Sequence, residues 1–140
     1  FSYFMGNGED GLHLATSEDG LKWTALRGGA SFLQPVAGEN KLMRDPCLLL
    51  GPDGVFRLVW TTSWTGGTIG YSSSTDLVHW TKWEGPHLVE PTEPFDQTFA
   101  HKPWLLKHAG VVYHFYCAVG PAGRVLALST SRDLRVPAGP

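Results

Sequence analysis

The sequence predicts an all-β fold made of repeated small antiparallel sheets. Its apolar runs are short, begin roughly every 8 to 14 residues, and are rich in aromatic and β-branched side chains, as strands are. No run carries the apolar spacing of a helix. The chain also resembles itself after a shift of 57 residues, which is typical of folds built from stacked copies of one unit.

The repeat is clearest between residues 44–77 and 101–134, which are identical at nine positions. The same shift carries Ser17 and Asp19 onto Ser74 and Asp76, so a third copy lies at the start of the chain. The identical pairs are Pro46/Pro103, Leu48/Leu105, Leu49/Leu106, Val55/Val112, Gly66/Gly123, Ser72/Ser129, Ser74/Ser131, Asp76/Asp133 and Leu77/Leu134.

Each complete copy predicts four strands joined by turns. In the second copy the strands are "CLLL" (47–50), "VFRLVWTT" (55–62), "TIGYSSS" (68–74) and "VHWTKW" (78–83). They are separated by a Gly-Pro-Asp-Gly turn, a Gly-Gly turn and a Ser-x-Asp turn, whose Ser and Asp side chains are expected to bond nearby backbone N–H groups. We expect three strands in the first copy, and three or four in the third.

Four-stranded antiparallel sheets at a fixed period are the pattern of β-propeller blades. We therefore predict a single partial propeller domain over 1–140, with about 2.5 to 3 blades of a five-bladed type and blade copies at approximately 1–26, 44–83 and 101–140. A β-sandwich is the alternative, although its strands would not repeat their loop chemistry at one period.

Composition excludes several partners. The net charge is −2, and the 11 Lys and Arg residues form no run, so we expect neither nucleic acid nor membrane as a partner. No stretch approaches the roughly 20 apolar residues of a membrane span, and the first residues lack the basic start of a signal peptide. We expect a soluble chain, and its compartment stays open.

The cysteines and histidines indicate no cofactor. Cys47 and Cys117 each lie in an apolar run, which predicts buried free thiols. The six histidines lack the spacing of metal ligands, so we expect neither a metal nor another cofactor.

One face of the predicted propeller collects the reactive side chains. Strands run up and down within a blade, so the loop entering the first strand and the loop between the second and third strands share a face. The opposite face receives only turns. The innermost strand begins at the central channel, which places Asp45 and His101 nearest the axis. The ligand face gathers Glu9, Asp10, Arg44, Asp45, Trp64, Glu93, Asp96, His101 and Lys102.

Some of these residues have structural alternatives. Asp45 could form an ion pair or a cap with Arg44, and Trp64 could be a packing residue instead of a platform for a sugar. His101 and Lys102 match Arg44 and Asp45 of the preceding copy, so this site has exchanged a carboxylate for a cation.

Three segments carry a family resemblance: Arg44-Asp45-Pro46, then "GPDGVFRLVWTT", then "IGYSSSTDLVHW". With them the chain resembles glycoside hydrolase family 43 and its five-bladed propeller relatives of arabinosidase and xylosidase type. The resemblance covers nearly all of residues 1–83 and is weaker beyond. It implies inverting hydrolysis of arabinose- or xylose-containing plant-type glycans, in which two carboxyl groups lie roughly 6.5–9.5 Å apart.

The resemblance implies that Asp45 is the general base, and it leaves the general acid open. The third copy begins "HKPW" where the family has "WAPE", so no motif identifies the acid. It could be Glu93, Asp96 or Glu9, or come from a partner chain. The substrate-binding candidates are Arg44, Glu9, Asp10, Trp64, His101, Lys102 and Trp104.

Two other functions stay open. The chain could be a catalytically incomplete carbohydrate-binding propeller, in which Trp64, Trp104 and His101 hold the sugar, or a structural or protein-binding piece, which would need no charged face. At 140 residues it is about half of the length that five blades require. We expect either a homodimer that completes the ring or a fragment of a longer chain.

Overall fold

A computed structural model describes residues 1–65, 68–83 and 93–132. The described chain is all-β with one short 3-10 helix at Leu26–Gly29. None of the described residues forms a helix long and apolar enough to cross a membrane. The strands are β1 (Ser2–Tyr3), β2 (His13–Thr16), β3 (Thr24–Ala25), β4 (Arg44–Leu50), β5 (Phe56–Thr61), β6 (Ile69–Ser74), β7 (Thr81–Lys82), β8 (Phe99–His108), β9 (Val111–Gly120) and β10 (Gly123–Thr130).

The strands form three antiparallel sheets that follow the three sequence copies. Their orders are β1-β2-β3, β4-β5-β6-β7 and β8-β9-β10. The predicted all-β class with small, blade-like antiparallel sheets is therefore confirmed. The second sheet has four strands, and its last three match those of the first sheet after the 57-residue shift. The Gly-Gly turn at 66–67 and the predicted stretches 84–92 and 133–140, which include Asp133, lie outside the described residues.

Two predicted strand boundaries were wrong. The first strand of the second copy begins at Arg44 instead of Cys47, so Asp45 lies inside a strand. The fourth strand covers only Thr81 and Lys82, because residues 78–80 belong to the preceding turn.

The Ser-x-Asp turns have the predicted hydrogen bonds. Oδ1 of Asp76 accepts the backbone N–H groups of Val78 and His79 at 2.8 and 2.7 Å. In the first copy, Oδ1 of Asp19 accepts those of Leu21 and Lys22, both at 2.8 Å. These bonds satisfy turn donors that no strand partner reaches, and they lower the pKa of Asp19.

The same turns place a tryptophan against the backbone. Nε1 of Trp23 donates to the carbonyl of Gly20 at 3.2 Å, and Nε1 of Trp80 donates to that of Leu77 at 3.1 Å. The two copies therefore share side-chain geometry as well as sequence.

The core consists of two clusters on the two faces of the second sheet. Val59 packs with Ala100, Tyr116 and other residues of the third sheet. Leu58 and Trp60, its neighbours in β5, pack instead in the cluster that reaches the first sheet. Alternate side chains of a strand point to opposite faces, so β5 holds both neighbouring sheets against its own.

Cys47 connects the second and third sheets. Its Sγ accepts the backbone N–H of Leu105 at 3.2 Å, and burial raises the pKa of the thiol. Cys47 and Cys117 are both free, as predicted, although each is partly and not fully buried.

Candidate functional site

Two matching bulges position the candidate site. In β4 the register shifts between Arg44 and Cys47, and Asp45 has a φ of 49°. In β8 the register shifts between His101 and Trp104, and Lys102 has a φ of 56°. A positive φ is uncommon for residues other than glycine, and a bulge redirects the side chain it carries.

Thr61, at the end of β5, joins the two bulges. Its hydroxyl donates to Oδ2 of Asp45 at 3.1 Å and accepts the backbone N–H of Lys102 at 2.7 Å. Thr61 is buried, whereas Asp45 is partly exposed. The hydrogen bond fixes the Asp45 carboxylate at the boundary between the second and third sheets.

Asp45 lines a small, strongly polar pocket. The pocket has a volume of about 190 Å³ and is formed by the start of β4, the end of β5 with its following loop, and the starts of β8 and β10. The up-and-down strand directions of propeller blades predicted that these elements share one face. The lining residues are Arg44, Asp45, Thr61, Ser63, Trp64, His101, Lys102 and Arg124.

Arg44 does not use Asp45 as its partner. Its Nη1 donates to Oδ1 of Asn7 at 2.9 Å, and its guanidinium lies 3.6 Å from the ring centroid of Trp64 and 5.3 Å from that of Phe4. No ion pair joins Arg44 to Asp45 among the described residues. The structural alternative for Asp45, a pair with Arg44, therefore lacks support. Trp64 is 60% exposed, with Arg44 over its ring.

His101 contributes an unpaired polar atom. Within the described part of the chain, its Nε2 is buried and has no hydrogen-bond partner. Burial lowers the pKa of His101, and the positive charges of Arg124 and Lys102 lower it further, against the opposing effect of Asp45. The imidazole is therefore mainly neutral at pH 7.

A second, larger cleft meets the first at Asp45. It has a volume of about 540 Å³ and is lined by residues 1–4, by residues 45–48 of β4, and by Pro103 and Trp104 of β8. Trp104 is 53% exposed, and the centroid of its ring lies 5.4 Å from that of Phe115. Asp45 is the one acidic residue among the described lining of either cleft.

Asp96 and Glu93 are candidate acids that lie outside both clefts containing Asp45. Asp96 is 1% exposed, and its carboxylate accepts the hydroxyl of Tyr116 at 2.9 Å and the backbone N–H of Glu93 at 3.1 Å. Burial and the bond to Asp96 raise the pKa of Tyr116 to about 12. Neither acidic residue lines the clefts that contain Asp45.

Glu9 and Asp10 also lie outside the two clefts. Oδ2 of Asp10 lies 2.9 Å from Nε2 of the buried His13. Oε2 of Glu9 accepts the backbone N–H of Asn7 at 3.0 Å, and the side chain of Asn7 accepts a hydrogen bond from Arg44. In residues 1–65, 68–83 and 93–132, no three His, Cys, Asp or Glu side chains are grouped as a metal site.

The sequence reasoning missed Thr61, Arg124 and Asn7. Arg124 follows the loop between β9 and β10, which the propeller rule assigns to the ligand face, so its position was available from the sequence. Thr61 is the last residue of β5, the second strand of its sheet, and the same rule places the end of that strand on the ligand face. Asn7 lies in the loop between β1 and β2, which the same rule assigns to the ligand face, but its contact with Arg44 was not predictable from the sequence.

Comparison with known proteins gives partial matches. No family model matches the chain. The "Uncharacterized protein Rv1502" of Mycobacterium tuberculosis is 34% identical over an alignment of 103 residues, and the match covers 64% of this chain and 33% of that protein.

Several solved structures resemble the chain. One described as "Glycoside hydrolase" is 31% identical with a TM-score of 0.66, and the match covers 88% of this chain and 36% of that one. An endo-arabinase from Bacteroides thetaiotaomicron has a TM-score of 0.53 at 24% identity, covering 79% of this chain and 37% of that one. Zg3597, a family 117 glycoside hydrolase of Zobellia galactanivorans, has a TM-score of 0.66 at 21% identity. That match covers 93% of this chain and 41% of that one. At these lower identities the last two support the fold alone.

The chain thus spans about a third of the length of the relatives it matches. In sequence and fold it is similar to part of a glycoside hydrolase with a propeller-type fold.

Proposed function

We propose that this chain carries the general base of an inverting glycosidase that acts on arabinose- or xylose-containing glycans. Asp45 is that base. The observation that carries the proposal is the position of its carboxylate, which lies where two clefts meet and is held by the hydroxyl of Thr61. The similarity to a glycoside hydrolase at 31% identity supports the same reaction class.

The chemistry follows from that position. The ionised carboxylate of Asp45 takes a proton from a water molecule as that water attacks the anomeric carbon. The bond from this carbon to the leaving oxygen breaks, and a second carboxyl group protonates that oxygen. The attack comes from the face opposite the leaving group, so the product has inverted configuration. Thr61 is a positioning residue in this scheme, because it acts through Asp45.

The general acid is supplied from beyond the two clefts. Asp45 is their one described acidic residue, and the carboxylate of Asp96 is already committed to Tyr116. Glu93, Glu9 and a partner chain are the remaining candidates. We favour a partner chain or a further part of a longer chain, since the match covers about a third of the relatives and further blades would surround the cleft. A homodimer that completes the ring is one such arrangement.

A carbohydrate-binding propeller without catalysis is the second candidate. The single described carboxylate in the clefts favours it, since inverting hydrolysis needs two. In this case Trp64, Trp104 and His101 would hold the sugar. Glycan binding without turnover, in a preparation whose mass in solution is known from light scattering, would support it over hydrolysis.

The anomeric configuration of the first product tests the proposal. Proton NMR should show inverted arabinose or xylose within minutes of adding enzyme to a 4-nitrophenyl pentoside, before the anomers equilibrate. The Asp45→Asn variant should give no product in the same time. First-formed sugar with retained configuration would contradict the assignment of Asp45 as a base, because retention requires a carboxylate nucleophile.

A further inference from the structure

The small pocket beside Asp45 holds more positive charge than a neutral sugar requires. Arg44, Lys102 and Arg124 line it together with the single carboxylate of Asp45. The whole chain has a net charge of −2, so the cations are concentrated at this site. Like charges confined to a cavity of about 190 Å³ repel one another unless an anion lies between them.

These cations have no acidic partner among the described residues. The ion pairs there are Asp10 with His13, Asp53 with Arg57 and Asp76 with His79. None of the three pocket cations takes part in one. Their charges are therefore available to a ligand.

Arg44 is held in a fixed orientation. The hydrogen bond to Asn7 and the rings of Trp64 and Phe4 together restrict its guanidinium. A planar guanidinium that is already ordered loses little entropy when it binds a carboxylate through parallel N–H bonds.

His101 adds a polar atom that the protein itself leaves unused. Its buried Nε2 has no hydrogen-bond partner within the described residues. Such atoms are rare in folded proteins, and each calls for an explanation such as a functional role or a bound water or ion. His101 lines the pocket, so a sugar hydroxyl bound there would lie beside this imidazole.

We infer that this pocket binds a uronic acid unit, with its carboxylate among Arg44, Lys102 and Arg124 and a hydroxyl at His101. The inference rests on the proposed function, because it defines the acidic glycan on which Asp45 acts. The cavity is smaller than the usual volume of sites for larger ligands, which fits one sugar unit. The neighbouring cleft of about 540 Å³ would take the adjoining units.

Binding measurements test the inference without requiring turnover. Isothermal titration compares xylotetraose with a xylo-oligosaccharide of the same length that bears one glucuronic acid. We expect the acidic glycan to bind at least about tenfold more tightly in low salt, the gain of one charge-assisted hydrogen bond. Equal affinities, or tighter binding of inorganic phosphate or a sulfated sugar than of the uronate, would overturn the inference.

Charge variants locate the effect. Arg124→Gln should reduce affinity for the acidic glycan about tenfold while leaving that for the neutral one unchanged. Lys107→Gln, a cation at the exposed end of β8, is the matched control and should change neither. A loss for both glycans in Arg124→Gln, with its melting temperature preserved, would overturn the inference.

The two hypotheses fail separately. If the acidic glycan binds tightly and no pentoside is hydrolysed, the inference stands and the hydrolase proposal fails. If pentosides are hydrolysed and the acidic glycan has no advantage, the hydrolase proposal stands and the inference fails.

Discussion

The hydroxyl of Thr61 donates a hydrogen bond to Oδ2 of Asp45 at 3.1 Å. The same hydroxyl accepts the backbone N–H of Lys102 at 2.7 Å, so one buried side chain fixes the entry bulges of two neighbouring sheets. The position of the candidate base therefore depends on how the second and third sheets are packed, as well as on its own strand.

Replacing Thr61 with valine should uncouple the two bulges. The substitution keeps the shape of the side chain but leaves the N–H of Lys102 without its partner, which costs about 1–3 kcal/mol of unfolding free energy. We expect kcat to fall more than KM changes, because the hydroxyl of Thr61 acts by orienting Asp45. Urea denaturation and steady-state kinetics measure the two effects.

Thr61→Ser is the matched control, since it keeps the hydroxyl and removes only a methyl group. It should recover most of the kcat and of the stability. If valine keeps the kcat and stability of the parent while serine loses them, the hydrogen bond has no role and packing of the methyl group, which valine retains, holds the site instead.

Ala109→Asn should stabilise the protein. Ala109 and Gly110 form the two-residue loop between β8 and β9, and both have positive φ, at 47° and 76°. Asn-Gly is the preferred pair for such hairpin loops. We expect the free energy of unfolding to increase by about 0.5–1 kcal/mol, measured by urea titration. A lower midpoint would show that the loop does not adopt this conformation.

Leu58→Ala should strongly destabilise the packing of the first sheet on the second. Leu58 is fully buried in the cluster that joins these sheets, and truncation of such a leucine costs about 2–5 kcal/mol. Leu50→Ala, on the neighbouring strand, is the control, because Leu50 is 55% exposed. Equal losses in the two variants would contradict the packing described here.

His101 should make stability fall in mild acid. Its pKa is lowered in the folded state by burial, then by Arg124 and Lys102, with Asp45 opposing them. Below the usual pKa of about 6.5 the unfolded chain binds a proton that the folded chain resists. Stability is therefore full above that pH and is lost as the pH falls through the folded pKa. His101→Gln should flatten the pH dependence between 8 and 5.5, measured by urea denaturation.

The His101→Gln variant should keep some dependence of stability on pH, because burial lowers the pKa of His114 as well. His108→Gln provides the control at an exposed position of the same strand as His101. An unchanged slope in His101→Gln would show that this histidine is not protonated more readily in the unfolded chain.

The sequence was sufficient for the fold class and for predicting that five candidate residues share one face. The 57-residue period placed Asp45, Arg44, His101, Lys102 and Trp64 on one face, and all five line one pocket. These positions follow from strand order and strand direction, which a repeat encodes directly.

Other features depend on contacts between distant segments, which the repeat does not encode. Asp96 was selected for its chemical type and its face, but its bond to Tyr116 depends on how the segment before β8 folds against β9. The bulge at Asp45 similarly depends on Thr61, 16 residues away.

The kinetic constants of Asp45→Asn measure the central claim most directly. Asp53→Asn is the matched variant, because Asp53 lies in the turn at the other end of the same hairpin. We expect Asp45→Asn to reduce kcat for a 4-nitrophenyl pentoside at least a hundredfold with a melting temperature within a few degrees of the parent, and Asp53→Asn to retain activity. Full activity in Asp45→Asn would contradict the assignment of this carboxylate as the general base.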